Sequence, residues 1–164
     1  MVTAVTTTVT TADLWELVAA VPDPELPMIT IGQLGVLRDV RVATDGHVVV
    51  EITPTYSGCP AMDAIGADVR ARLATAGYED AEVRLVLAPA WTTDWITEAG
   101  RAALRRHGIA PPHPAGPVAL QLSVRCPRCG SPDTREISKF GSTACKALWK
   151  CHACLEPFDH VKAL

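Results

Sequence analysis

Several features common in other proteins are scarce or missing in this chain. No run of apolar residues approaches a membrane span in length. The opening stretch, Met1 to Thr10, carries neither a basic region nor a long apolar block, so a secretory signal is not expected and the stretch reads as a loose tail. Aromatic residues are only 5% of the chain, and all four lysines, Lys139, Lys146, Lys150 and Lys162, fall near its end. The positively charged, ring-studded stripe of a nucleic-acid binder is therefore not foreseen. A Rossmann glycine fingerprint is absent, which argues against a dinucleotide fold. So is any Glu-x-x-His pair, the helical motif from which a bundle builds a di-iron site.

What is present is a globular composition, with 48% hydrophobic residues and a net charge of -3 over 164 residues. That length holds one ordinary domain and a small module beside it. The charge is uneven: up to position 117 there are 8 Lys and Arg against 14 Asp and Glu, and from 118 onward 7 against 4. Two modules with different surfaces follow from that contrast. Six cysteines without an export signal point to a reducing compartment, by default the cytoplasm. There, paired Cys-x-x-Cys motifs mean metal or redox chemistry more often than structural disulfides.

Thr10 or Thr11 caps a helix whose apolar positions Leu14, Leu17, Val18 and Val21 recur at helical spacing. Pro22 ends it. The three prolines of Pro22 to Pro27 impose a rigid loop that carries the carboxylates of Asp23 and Glu25, either as a solvated connector or as part of a site. Val36 to Ala43 and His47 to Thr53 read as strands joined by an Asp45-Gly46 hairpin turn. A helix from about Pro60 to Ala76 is followed by the strand Ala81 to Ala88, whose wholly apolar end reads as central in a sheet. After Pro89-Ala90-Trp91, a last helix capped by Thr92 or Thr93 runs to near Gly108. The predicted class is α+β, a small mixed sheet packed with helices in the order helix, strand, strand, helix, strand, helix. The expected division is a flexible tail over 1–10, the α+β domain over 11–108, a proline-rich linker over 109–117 and a metal module over 118–164.

In that module, Cys126-Pro127-Arg128-Cys129 and Cys151-His152-Ala153-Cys154 are two Cys-x-x-Cys pairs 21 residues apart. Four soft ligands at this spacing make a closed tetrahedral zinc site of the ribbon type, with iron on the same sulfurs as the competitor. Its strands are expected over Val118 to Arg125, Thr134 to Phe140, Ala147 to Lys150 and Phe158 to Val161. His152 and His160 read as surface polar groups. Cys145, left over among small residues, reads equally as a buried structural thiol or as a functional one. The ribbon's basic balance is too small for nucleic acid and fits docking on a protein partner better.

The stretch around which the chain is organised is Thr53 to Met62. Cys59 sits where a strand hands over to a helix, and Pro60 falls at or near the first helical position. Unpaired backbone donors and the helix dipole there favour a thiolate, the form that binds metals and attacks electrophiles. The alternative is a small buried side chain. A cysteine-dependent hydrolase is the weakest option, since the nearest His in the sequence, His47, lies at the far end of the preceding strand.

Asp23-Pro24-Glu25, Leu34-Gly35-Val36, Thr53 to Cys59-Pro60 and Pro89-Ala90-Trp91 together resemble the metal-sulfur cluster assembly domain of iron-sulfur maturation proteins. With the Phe140 to Lys146 segment and the ribbon, the chain from about Leu14 is similar to the D-subunit family of phenylacetyl-CoA epoxidase (ring-1,2-epoxidase) systems. Ala90 replaces the more usual middle proline of that family's Pro-Pro-Trp turn. The resemblance implies an accessory factor that matures metal centres in phenylacetate degradation, and not the oxygenase itself. It places the reactive cysteine on Cys59, the acidic loop on Asp23 and Glu25, and Thr53 and Thr55 in the same pocket. It also implies structural zinc, transient iron or an iron-sulfur unit at Cys59, and oxygenase or reductase subunits as clients. No membrane and no nucleic acid are foreseen as partners. A single thiolate holds metal weakly, so a partner surface, a second copy in a homodimer, or Cys145 would complete the coordination. The competing reading is a non-catalytic adaptor that bridges oxygenase components through two modules of opposite charge.

Overall fold

The computed structural model describes residues 10–112 and 124–162. The expected tail up to residue 9, most of the expected linker and most of the strand expected over Val118 to Arg125 lie outside them. Helix α1, Thr11–Ala19, opens on a capping box in which the Thr10 hydroxyl accepts from the Asp13 N-H and the Asp13 carboxylate accepts from the Thr10 N-H. Leu14 and Val18 then face the core. The loop after Pro22 is held from within, because Asp23 Oδ1 accepts from the N-H groups of Glu25 and Leu26, both at 2.8 Å. Leu26 and Ile29 are buried behind it. The loop is thus a packed element of the fold and not a solvated connector.

A four-residue helix α2, Ile31–Leu34, precedes the hairpin of β1, Leu37–Val42, and β2, Val48–Ile52. Helix α3, Ala61–Thr75, crosses back so that β3, Glu82–Leu85, lies parallel to β2. The sheet order β1-β2-β3 is therefore mixed, as expected. Its centre is β2, whose Val48, Val49, Val50 and Ile52 are buried, and α3 contributes Ile65, Val69 and Leu73 to the same core.

Three expectations are corrected. β3 is an edge strand, with Leu85 54% and Leu87 66% exposed; an apolar run has no periodicity from which centre and edge can be told apart. The helix expected from Thr92 or Thr93 is broken into a 3-10 turn, Thr93–Trp95, and α4, Glu98–Arg106. The break follows from Thr97, whose N-H donates to Gln33 O at 2.9 Å and whose hydroxyl caps Gly100. Ile109–Ala110, read as the start of a linker, forms β4, which pairs parallel with β7, Pro157–Val161. The apolar Ile109 follows α4 directly into this pairing and is buried.

The second sheet has the order β4-β7-β6-β5, with β5 at Thr134–Ser138 and β6 at Lys146–Cys151. Val161 and Ile109 join the core of the first module, so the ribbon is docked on the α+β body. No helix among the described residues is long and apolar enough to cross a membrane.

Two glycines in helices have opposite surroundings. A Cβ at Gly100 would meet Gln33 O and Ile29 Cδ1 at 2.9 Å, whereas one at Gly66 would meet only ordinary contacts from 3.5 Å outward. Gly100→Ala is expected to destabilise the fold by about 1–3 kcal/mol through overpacking. Gly66→Ala is expected to stabilise it by about 0.5–1 kcal/mol through helix propensity. Urea denaturation of both variants checks the difference in sign.

Candidate functional site

The ribbon cysteines are brought together as expected. The ligand atoms of Cys126, Cys129, Cys151 and Cys154 all lie within 4.8 Å of one another, the one such group among the described residues. The Sγ atoms of Cys126 and Cys154 are 3.7 Å apart, and those of Cys129 and Cys151 3.6 Å. Four sulfurs around one zinc, with bonds of about 2.3 Å, stand about 3.8 Å apart, so the cage fits a tetrahedral ion and is far too open for disulfides. Backbone N-H groups of Cys154 and Ala153 help pull the Cys151 thiol down to about 7, while Cys154, crowded by the other thiols, is pushed up to about 12. A cation held by the four sulfurs would displace their protons. His152 and His160 lie outside the quartet. His160 is half-buried with its ring edge-on to Trp149, 5.9 Å between centroids, and so is not the surface group foreseen.

Cys59 is half-buried at the entry to α3, one residue before the Pro60 cap. Its surroundings correct the expectation of a thiolate favoured at rest. Burial pushes the thiol up, and the nearby charges of Glu25 and Asp23 push the same way. The Ala61 N-H and the Tyr56 hydroxyl favour the thiolate without overcoming these effects. The helix terminus thus supplies a donor, but loss of water outweighs it.

The thiol opens on a cavity of about 20 Å³, room for one water-sized guest. Asp23, Glu25, Thr55, Cys145 and Lys162 supply its other polar edges, and Leu34, Met62, Trp91 and Val161 its apolar walls. The Trp91 indole is fixed by donating to Leu34 O at 3.0 Å. Asp23 is buried, with Oδ1 committed to the loop, and loss of water raises its pKa. Glu25 is half-buried and faces Cys145 Sγ at 3.9 Å. Thr55 lines the cavity, but Thr53 does not; its buried hydroxyl finds no partner among the described residues.

Tyr56 was not singled out beforehand, and Cys145 was weighed as a functional thiol without its direction being legible. Tyr56, pushed up to about 12 by burial and by the neighbouring Cys59 and Glu25, stays a neutral donor beside the thiol. Cys145 reaches the cavity from the ribbon, where the Thr143 hydroxyl lies 3.0 Å from its sulfur and its carbonyl accepts from the Lys162 N-H. Gly141 lets that loop lie close to Asp159, whose Oδ1 a Cβ there would meet at 2.8 Å. The only signal for Cys145 was a thiol among small residues in Gly141 to Lys146, which marks a tight loop but not its direction.

Comparisons with known proteins agree with the two modules of the fold. Residues 11–85 match the model of the iron-sulfur cluster assembly protein family, and residues 110–162 match the PaaD zinc beta ribbon domain. The chain is 48% identical, over 93% of its length and 92% of the relative's, to the putative D-subunit of the 1,2-phenylacetyl-CoA epoxidase of Escherichia coli. It is 34% identical to an Fe-S protein maturation auxiliary factor of Porphyromonas gingivalis, over 54% of this chain and 85% of that one. A crystal structure of a domain of unknown function from Bacillus anthracis superposes with a TM-score of 0.53 at 32% identity, covering 57% of this chain and 90% of that one.

Zinc-loaded protein is expected to contain about one zinc per chain without visible absorption, and Cys151→Ser to lose that zinc, both read by elemental analysis. The raised Cys59 thiol is expected to be alkylated by iodoacetamide at pH 8 more slowly than an exposed cysteine. Glu25→Gln removes a charge that holds the thiolate back, so it should speed that alkylation by roughly a fewfold. Peptide mass spectrometry of Cys59 checks the direction.

Proposed function

This chain belongs to the iron-sulfur cluster assembly family, among the members that carry a PaaD-type zinc ribbon, and from that footing we propose that it is an accessory factor that matures metal centres. Its system is a phenylacetyl-CoA epoxidase, after the Escherichia coli relative named as the D-subunit of one. Its cargo is iron or an iron-sulfur unit, held transiently at Cys59, and its clients are the oxygenase or reductase subunits of that system. The observation that carries this reading is a half-buried thiol and a carboxylate-bearing loop facing one small opening in the assembly-family domain.

The chemistry follows from the residues around that thiol. A protonated Cys59 with Glu25 and Asp23 nearby holds no metal by default, and an arriving cation supplies the positive charge that lets the proton leave. The same balance favours release, because a client with more thiolates outcompetes a site with few. Tyr56 donates toward the sulfur, and Trp91 and Met62 screen it from bulk water. The ribbon quartet would hold zinc, whose role there is to hold the ribbon together. Asp23 shapes the loop that presents Glu25.

Cys59→Ser in cells that lack the native copy is expected to bring the clients' iron content and phenylacetyl-CoA oxygenase activity down to near the level of the deletion. Unchanged content and activity end the carrier reading. Co-purification with oxygenase subunits at fixed stoichiometry, indifferent to Cys59→Ser, supports the adaptor reading instead.

A further inference from the structure

We infer that Cys145 of the ribbon is the second thiol of the Cys59 site, so that Cys59, Cys145 and Glu25 together take up a single divalent iron ion between the two modules. This deepens the carrier reading and rests on it. Cys59 comes from the entry of α3, Glu25 from the loop after α1, and Cys145 from the loop before β6, and all three border the same cavity. Glu25 already faces the Cys145 sulfur at 3.9 Å. Cys145 is no incidental core residue: its loop is pinned by Ser142 against Asp159, by Gly141 N-H on Lys146 O and by Lys162 N-H on Cys145 O. Those bonds hold the loop that brings the thiol to the cavity shared with the α+β body.

Two thiolates and a carboxylate make a mixed soft and hard ligand set that suits a divalent first-row ion. The cavity, at about 20 Å³, has room for one ion but not for a multi-iron cluster. At rest these three groups are not gathered as tightly as the ribbon sulfurs, the one group among the described residues whose ligand atoms lie within 4.8 Å. Closing on the ion takes rotation of the half-buried Cys59 and Glu25 side chains toward Cys145. Each thiol that binds passes its proton to solvent, so loading releases two protons per ion and changes no oxidation state. Three protein ligands leave a coordination position open, and a client thiolate enters there. Lys146, buried and 3.5 Å from Asp159, and Lys162 at the rim offset the surplus negative charge.

The test uses the full, zinc-loaded chain under anaerobic conditions, with cobalt(II) as a spectroscopic stand-in for ferrous iron and retained zinc checked by elemental analysis. Wild type is expected to take up one cobalt with thiolate-to-metal absorption. Cys145→Ser is expected to lose about half of that absorption and to bind about tenfold or more weakly. Wild-type binding by Cys145→Ser, with loss in Cys59→Ser, overturns this inference and leaves a single-thiol carrier standing. No thiolate absorption even in wild type overturns both. Dibromobimane on the unmutated chain gives an answer that no folding defect can blur. It should link Cys59 to Cys145, and cobalt should block the link; separate modification of the two thiols counts against the shared site. Acid-labile sulfide in proportion to iron after loading with both would replace the single ion by a cluster.

Discussion

Val161, the last residue of β7, is buried in the core of the α+β domain, and Ile109, the first residue of β4, is buried beside it. This joint apolar docking, reinforced by the parallel pairing of β4 with β7, is the constraint on which the candidate site depends. The chain leaves α4 and enters the ribbon sheet with only His107 and Gly108 between them. The loop before β6 is thereby carried to the opening above α3. Without that docking Cys59 would face solvent and Cys145 would be an isolated thiol of a small metal module.

The electrostatics follow from the same enclosure. A helix N-terminus in water lowers a thiol's pKa, but here burial and two carboxylates reverse the balance. Such a thiol resists stray electrophiles and gains strength as a ligand only when a cation is present. A similar division separates the two cysteine sites. The ribbon gathers four sulfurs into a closed cage suited to permanent zinc, while the inter-module opening offers few ligands and suits passage.

Much of this was legible from residue pattern. The helix cap at Thr10, one of the two threonines offered for it, the hairpin at Asp45-Gly46, the helix after Pro60 and the paired Cys-x-x-Cys turns each rest on local chemistry, and each is where the pattern put it. What was not legible depended on contacts between distant segments. Thr97 breaks a helix because its N-H meets Gln33, over sixty positions earlier. Leu85 and Leu87 are exposed because no strand among the described residues pairs beyond β3. Cys145 and Glu25 meet across 120 residues, and no periodicity carries that information.

The most direct examination of the central claim is X-ray absorption fine structure at the iron edge of the zinc-loaded chain, mixed anaerobically with one equivalent of ferrous iron. The account predicts an iron shell that contains sulfur together with oxygen, with the zinc edge unchanged as four sulfurs. A shell of oxygen and nitrogen alone, at an occupancy that shows the iron bound, would contradict it.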